Sequence, residues 1–245
     1  DFKNLGFGKY FSDHMLEADY VDGEWTSVRI RPYQELGFLP ALSVLHYSQT
    51  IFEGQKAHKD ENGNINIFRP YENWKRMNRS AERMAMPSVP EEIFIEGMKQ
   101  LIELDKYFIP SGYDESLYIR PFLFASEETL GVKASNSYKF LIITGPVGSY
   151  FAEPARIYVE EKYTRAAPGG TGATKTGGNY AASLLSSAEA KKQGYDQVLW
   201  MDAIEHKYVQ EVGAMNIFFI IGNKIITPDL SDGTILGGIT RLSLI

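Results

Sequence analysis

The 245 residues predict an α+β protein in two domains, and three observations carry that expectation. In the first half, runs of aromatic and β-branched residues mix with segments of helical period. Gly145-Pro146-Val147-Gly148-Ser149, followed by Glu153-Pro154, then interrupts the pattern as a linker would. Beyond it, a glycine-rich loop stands between a strand and a helix. The expected layout is a small α+β domain over 1–144, a linker over 145–154 and a large domain over 155–245.

Each element has its own reason. Asn62-Gly63-Asn64 reads as a hairpin turn, since Asn and Gly tolerate positive φ. Glu72 to Met84 and Glu91 to Leu104 have helical period, with Met77, Ala81 and Met84 on one face. Tyr118 to Phe124 and Tyr138 to Thr144 read as strands of a largely antiparallel sheet. In the second half Ala155 to Glu160 reads as a strand and Gly169 to Gly178 as an exposed loop. Tyr180 to Gln193 reads as one amphipathic helix stopped by Gly194. Gln197 to Met201 and Ile217 to Ile221 are apolar runs expected as buried strands. Gly237-Gly238-Ile239-Thr240 turns into a helix whose Leu242, Leu244 and Ile245 call for covering chain. The second domain is therefore expected to be incomplete at Ile245.

Composition removes several function classes. A net charge of −6 with scattered Lys and Arg argues against a nucleic-acid partner, which needs a clustered basic face. With no cysteine there is no disulfide, thiolate metal site or thiol nucleophile. No apolar run approaches the roughly 18 residues of a membrane span, and Asp1 to Leu5 do not make a signal peptide. His14, His46, His58 and His206 show neither metal-ligand spacing nor a Ser-His-Asp order, and no metal is expected. His14 and His46 are expected to be structural neighbours of a pocket.

The glycine-rich loop admits two readings. Gly169-Gly170-Thr171-Gly172-Ala173-Thr174-Lys175-Thr176 nearly matches a nucleotide-hydrolase phosphate loop, and Val198 to Asp202 could pass for its magnesium-binding strand. The match fails at Thr174, where that loop requires Gly, and Gly177-Gly178 weaken the helix start. The other reading takes Lys175 as an amine nucleophile that forms a Schiff base in a pocket which lowers its pKa. Small neighbours would admit a flat ring, and Tyr180 offers a hydroxyl five positions on. From this loop alone, a solvated lysine in a flexible loop competes with both.

Lys175-Thr176-Gly177-Gly178-Asn179-Tyr180-Ala181 and Glu211-Val212-Gly213-Ala214-Met215-Asn216 resemble segments of branched-chain aminotransferases, pyridoxal-phosphate enzymes of fold type IV. Phe11-Ser12-Asp13-His14-Met15, Leu45-His46-Tyr47-Ser48, Phe52-Glu53-Gly54, Phe68-Arg69-Pro70 and Arg76-Met77 do so as well. The matches run in the family's order from about Phe7 to Arg241. The resemblance implies the two-domain fold of that class and pyridoxal 5'-phosphate as cofactor. It implies reversible amino transfer from leucine, isoleucine or valine to 2-oxoglutarate.

It also implies roles. Lys175 holds the cofactor and moves the proton, and Glu211 faces the pyridine nitrogen. Arg76, with Ile239 and Thr240 at a helix start, takes the phosphate. Tyr180 bonds the ring hydroxyl. Phe11, Tyr47, Phe52, Tyr118, Arg120 and Ala214 line the substrate pocket, with Val132 contributed by the neighbouring subunit of a homodimer. Read without the resemblance, Glu211 is equally a surface residue in a turn, Arg76 one of three arginines on a solvated helix, and Arg120 a buried ion-pair partner. Each aromatic is as readily core as pocket. Ala214 stands where the family also carries a hydroxyl residue, which puts one substrate-carboxylate contact in doubt. The absent cysteines exclude thiol regulation. D-amino-acid transaminase and aminodeoxychorismate lyase share the fold, and the segment around Phe11 to Met15 favours the branched-chain group. A cytoplasmic location is expected, with the mitochondrial matrix as the eukaryotic alternative.

Overall fold

The computed structural model describes residues 5–149 and 153–245, so residues 1–4 and residues 150–152 of the expected linker lie outside the described residues. The chain divides into two compact units, Asp1–Ala152 and Glu153–Ile245.

The first unit is built on a seven-stranded antiparallel sheet. Its strands are β1 (His14–Val21), β2 (Glu24–Pro32), β3 (Thr50–Phe52), β4 (Gln55–Lys59), β5 (Ile65–Ile67), β6 (Ser116–Ala125) and β7 (Tyr138–Val147). The order is β2-β1-β7-β6-β4-β5, with β3 also paired to β6. Alternation along β1 sends Leu16 and Ala18 to one face and Met15 and Glu17 to the other. The first face packs on Met77 and Ala81 of α2 (Pro70–Arg83) and on Met98, Leu101 and Ile102 of α3 (Gly97–Leu104). On the second face Met15 joins Leu42, Phe124 and Leu141 in a smaller apolar cluster. Helices therefore cover one side of the sheet, and the other side carries aromatic and charged residues.

The expected hairpin turn forms, fixed by Asp60, whose carboxylate accepts from the N–H groups of Asn62 at 2.9 Å and Asn64 at 2.8 Å. α2 starts two residues before its expected limit because Pro70 fits a first turn that needs no N–H. The helix expected from Glu91 opens as a π-turn, Glu92–Glu96, and only then becomes α3. Gly145, Pro146 and Val147 do not interrupt the chain as a linker; they complete β7, opposite Tyr118, Leu117 and Ser116. β1 pairs with β7 only as far as Ile143, so Pro146 sits where one flank has no strand to bond, a place that tolerates proline.

Glu17 is buried among cations. Lys139 and Arg31 contact its carboxylate and Arg29 lies 3.3 Å away, while Lys139 also reaches Asp19 at 2.5 Å. Burial opposes ionisation of Glu17, but Lys139, Arg31 and Arg29 together outweigh it and hold the carboxyl below its ordinary value of 4.5.

The second unit has a three-stranded sheet, β8 (Ile157–Val159), β9 (Gln197–Met201) and β10 (Val209–Val212), in the order β10-β9-β8. β8 is shorter than the strand expected over Ala155 to Glu160 and runs parallel to β9. Val198 and Trp200 of β9 are buried against Ala190, with Tyr158, Tyr163 and Tyr195 around them. The single helix expected from Tyr180 to Gln193 is two, α4 (Gly177–Ala182) and α5 (Leu184–Lys192). Ser183 divides them by turning its hydroxyl back onto the Tyr180 carbonyl at 2.7 Å. Nor is α5 amphipathic in the expected sense, for Leu184 and Leu185 are exposed. The expected buried strand over Ile217 to Ile221 is also corrected. β11 (Phe219–Ile221) pairs only with β12 (Lys224–Ile226), and Ile220, Ile221, Ile225 and Ile226 are exposed because no described layer lies on this hairpin. The final turn enters α6 (Ile239–Leu244) as expected.

The Glu17 cluster sets a testable pH dependence. A carboxyl held below its unfolded value contributes stability above about pH 4.5, and that contribution is lost as pH falls through the folded value. Glu17→Gln should cost on the order of 3 kcal/mol at pH 7, because it strands the cations. Denaturant unfolding of both proteins should show this difference shrinking below pH 4.5; a pH-independent difference would contradict the assignment.

Candidate active site

The second unit brings Tyr180, Glu211 and Ala214 of its expected site residues around one cleft, while Lys175, Ile239 and Thr240 are not among its lining. Arg165, Thr174, Asn179, Tyr180, Ser183, Glu211, Gly213, Ala214 and Leu236 line it. Lys175 lies just before α4 and donates from Nζ to the Tyr180 hydroxyl at 3.1 Å. Asn179 fixes the loop that carries it, donating from its amide to the carbonyls of Thr171 at 2.7 Å and Thr174 at 2.8 Å. The loop is therefore a built structure, not the exposed flexible segment that competed with the functional reading.

Glu211, on β10, is buried. Its Oε1 accepts from the Leu236 N–H at 2.7 Å, and its Oε2 lies 3.1 Å from Nε of the equally buried Arg165. Burial pushes the Glu211 carboxyl up from its ordinary value, against the pull of Arg165, the Leu236 N–H and Lys175. Arg165 also donates through Nη2 to the carbonyls of Gly172 at 3.0 Å and Thr234 at 2.5 Å. One guanidinium thus ties the lysine loop, the glutamate strand and the segment before α6 together. Arg165 is the functional residue that sequence reasoning missed. Its signal was a basic residue placed just ahead of Pro168-Gly169-Gly170.

Ile239 and Thr240 open α6, Ile239 half-buried and Thr240 exposed. Asn216 donates to the Leu236 carbonyl at 2.8 Å and pins the turn that precedes them. Ala214 is exposed beside Glu211 on the cleft wall. An amine beside a phenol, a buried carboxylate paired to a guanidinium and walls of Gly213 and Ala214 form a donor set that fits a flat, cationic heteroaromatic ring bearing an aldehyde. Pyridoxal phosphate is such a group.

In the first unit, Phe11, Tyr118 and Arg120 line a cavity of about 250 Å³ together with Phe7, Gly8, Tyr10, Ile143, Thr144, Gly145 and Val147. Arg120 donates to the Tyr118 hydroxyl at 2.7 Å and lies over the Phe52 ring at 4.6 Å. Its Nε is buried with no hydrogen-bond partner among the described residues, a donor suited to an anion. No carboxylate pairs with it among the described residues, so the reading of Arg120 as an ion-pair partner is set aside. Tyr47, Phe52 and Val132 are not among the residues lining this cavity. Tyr47 donates to the carbonyl of Leu130, and Val132 is 84% exposed two residues further on.

Arg76 is not on a solvated helix face. It forms a two-pronged pair with Glu53, Nε to Oε1 at 2.7 Å and Nη2 to Oε2 at 2.8 Å, and Glu53 is fully buried. Asn73 adds a bond to Glu53 at 2.8 Å. Sequence reasoning quoted Glu53 only as part of a motif. His14 pairs with the buried Asp105 at 2.7 Å, and His46 bonds the Pro40 carbonyl at 2.9 Å.

The Arg165 pair makes a directional prediction. Arg165→Met should raise the Glu211 carboxyl further, because the largest force opposing burial is removed. Carbon-13 NMR of labelled glutamate in the cofactor-free protein should find that titration displaced upward; no displacement would mean Arg165 does not govern Glu211.

Comparison with known proteins places these groups in context. The family model described as "Amino-transferase class IV" matches residues 50–245. Branched-chain-amino-acid transaminase 1 of Bacillus subtilis (strain 168) is 54% identical over 250 residues, covering 100% of this chain and 70% of the relative. The branched-chain amino acid aminotransferase structure from Escherichia coli has a TM-score of 0.78 at 26% identity, covering 95% of this chain and 73% of that one. The branched-chain aminotransferase of the thermophilic archaeon Thermoproteus uzoniensis, solved with norvaline, has a TM-score of 0.76 at 26% identity, covering 94% of this chain and 73% of that one. A family match across the whole of the lysine loop and the Glu211 strand removes the nucleotide-hydrolase reading, and the chain belongs to the class IV aminotransferase family.

Proposed function

We infer that this protein is a pyridoxal-phosphate-dependent branched-chain amino acid aminotransferase, exchanging amino groups between leucine, isoleucine or valine and 2-oxoglutarate. One observation carries the chemistry. Tyr180, to which Lys175 donates, and Glu211, with its Arg165 partner, line a single cleft. The substrate class is supported by the 54% identity to the Bacillus subtilis transaminase.

When bound, pyridoxal phosphate supplies an electron sink for the charge left on the amino acid's α-carbon. The chain's own residues do the rest. Lys175 anchors the cofactor through Nζ, and the same Nζ takes the α-proton and returns it. Tyr180 holds a hydroxyl beside that nitrogen. Glu211 keeps a proton on the ring nitrogen, a role that Arg165 supports by favouring its ionised form. In the second unit Ile239 and Thr240 carry backbone N–H groups suited to a phosphate; in the first, Arg76, oriented by Glu53, carries a guanidinium suited to one.

Arg120 takes the substrate carboxylate, because its buried Nε is unpartnered and its only described polar contact is a neutral phenol. Phe11, Phe52 and Tyr118 give the branched side chain an apolar environment, each buried CH₂ contributing about 0.8 kcal/mol. Ala214 closes the cleft beside Glu211 without a hydroxyl. A homodimer is part of the same proposal: Val132, exposed on its loop, enters the neighbouring subunit's pocket, and Tyr47 steadies that loop through the Leu130 carbonyl. So is a cytoplasmic location. Among the described residues, no helix is long and apolar enough to cross a membrane.

Borohydride reduction of the loaded full-length protein, followed by peptide mapping, should place a pyridoxyl adduct on Lys175. Leucine and 2-oxoglutarate should yield glutamate, and Lys175→Ala should lower that rate at least about a thousandfold, since anchor and proton carrier vanish together. An adduct elsewhere, or conversion of D-alanine in preference to leucine, would overturn the reading.

A further inference from the structure

The amino-terminal segment forms one wall of the Arg120 cavity. It is tied down at both ends. The Gly148 N–H donates to the Gly6 carbonyl at 3.0 Å, and the Ser12 N–H donates to the Thr144 carbonyl at 2.9 Å. Leu5 is buried at its start. Between these ties Tyr10 passes so close to β7 that a Cβ on Gly145 would stand 2.1 Å from the Tyr10 carbonyl oxygen. Glycine at 145 is therefore what lets the segment lie down as a strap. Phe7, Gly8, Tyr10 and Phe11 all face the cavity.

Phe7 meets Tyr118 in an edge-to-face contact, ring centroids 4.8 Å apart and planes at 67°. The Tyr118 hydroxyl fills the space that a side chain on Gly54 would need, 2.3 Å from the position of its Cβ. That hydroxyl also accepts the hydrogen bond from Arg120. The tyrosine is thus held by an aromatic edge, by the bare backbone of Gly54 and by the guanidinium it steadies. Among these supports Phe7 alone comes from the strap.

We propose that Phe7 is a positioning residue, fixing the Tyr118–Arg120 pair and closing the apolar side of the cavity, so that the strap sets selectivity for branched side chains. The proposal rests on the aminotransferase reading. Without Phe7 the Tyr118 ring gains rotational freedom and water reaches the apolar wall. A large aliphatic side chain then loses more than a small one, since more of its surface depended on exclusion of water. Because binding is affected and the proton-moving amine is not, the loss falls on KM more than on kcat.

The test is steady-state kinetics of the loaded full-length protein with leucine and with 2-aminobutyrate, for wild type, Phe7→Ala and Phe7→Leu. Phe7→Ala should lower the leucine-to-2-aminobutyrate ratio of kcat/KM by about fivefold, the scale of one aromatic pair plus lost cover, chiefly through KM. The cofactor absorption spectrum should not change. Phe7→Leu keeps the apolar bulk and should retain about half of that selectivity on a logarithmic scale; it also serves if the alanine variant fails to fold. A ratio within twofold of wild type in either folded variant, or equal losses of kcat for both substrates, would overturn the role of Phe7 while leaving the aminotransferase reading intact. Wild-type protein that converts no branched substrate would remove that reading and the proposal with it.

Discussion

The site depends on one buried carboxylate paired with a guanidinium. Glu211 is buried, and burial pushes its carboxyl up from the ordinary value, against the pull of Arg165, the Leu236 N–H and Lys175. Arg165 supplies the compensating charge, but an isolated buried pair is a poor bargain unless its remaining donors are also satisfied. Here they are. Nη2 of Arg165 reaches the carbonyls of Gly172 and Thr234, and Glu211 accepts the Leu236 N–H on its other oxygen. The hydrogen bonds that make the pair tolerable are the ones that fix the lysine loop and the approach to α6. Electrostatic need and geometric precision are met by the same atoms.

The first unit uses two arginines in opposite ways. Arg76 is saturated by a fully buried carboxylate that grips it in the planar, two-pronged geometry guanidinium favours. Such a grip fixes the direction in which the guanidinium points. Arg120 donates to a phenol, and its guanidinium lies 4.6 Å from the Phe52 ring and 5.3 Å from the Tyr118 ring. Aromatic rings stabilise a cation without neutralising it. Arg120 therefore keeps its positive charge in largely apolar surroundings.

Much of this was legible in the sequence, and the exceptions share a cause. The strands β6 and β7, the helix α2 and the turn at Gly63 announce themselves through local pattern, because neighbours in sequence decide them. Lys175, Tyr180 and Glu211 were legible through short segments resembling a known family. Arg165 and Glu53 were not, because their meaning lies in partners 46 and 23 residues away. Gly145 and Pro146 looked like a break because both are poor strand formers. What makes them strand residues is tertiary: the strap lies on one, and the other stands where β1 no longer pairs. The run Ile217 to Ile221 misled in the reverse direction, since apolar content says that a surface wants cover and not that the described chain provides it.

α4 shows how little intrinsic propensity the lysine loop needs. Its six residues begin Gly177-Gly178, the weakest ordinary helix formers, and it ends at a serine that bonds its own backbone. A helix of that length and composition would not persist alone. It persists because Asn179, in its first turn, donates to Thr171 and Thr174, while Thr171 returns a bond from its hydroxyl to the Asn179 side chain at 2.6 Å. The helix is thus held from outside by the loop it follows. Asn179 restores the order that Gly177 and Gly178 give up.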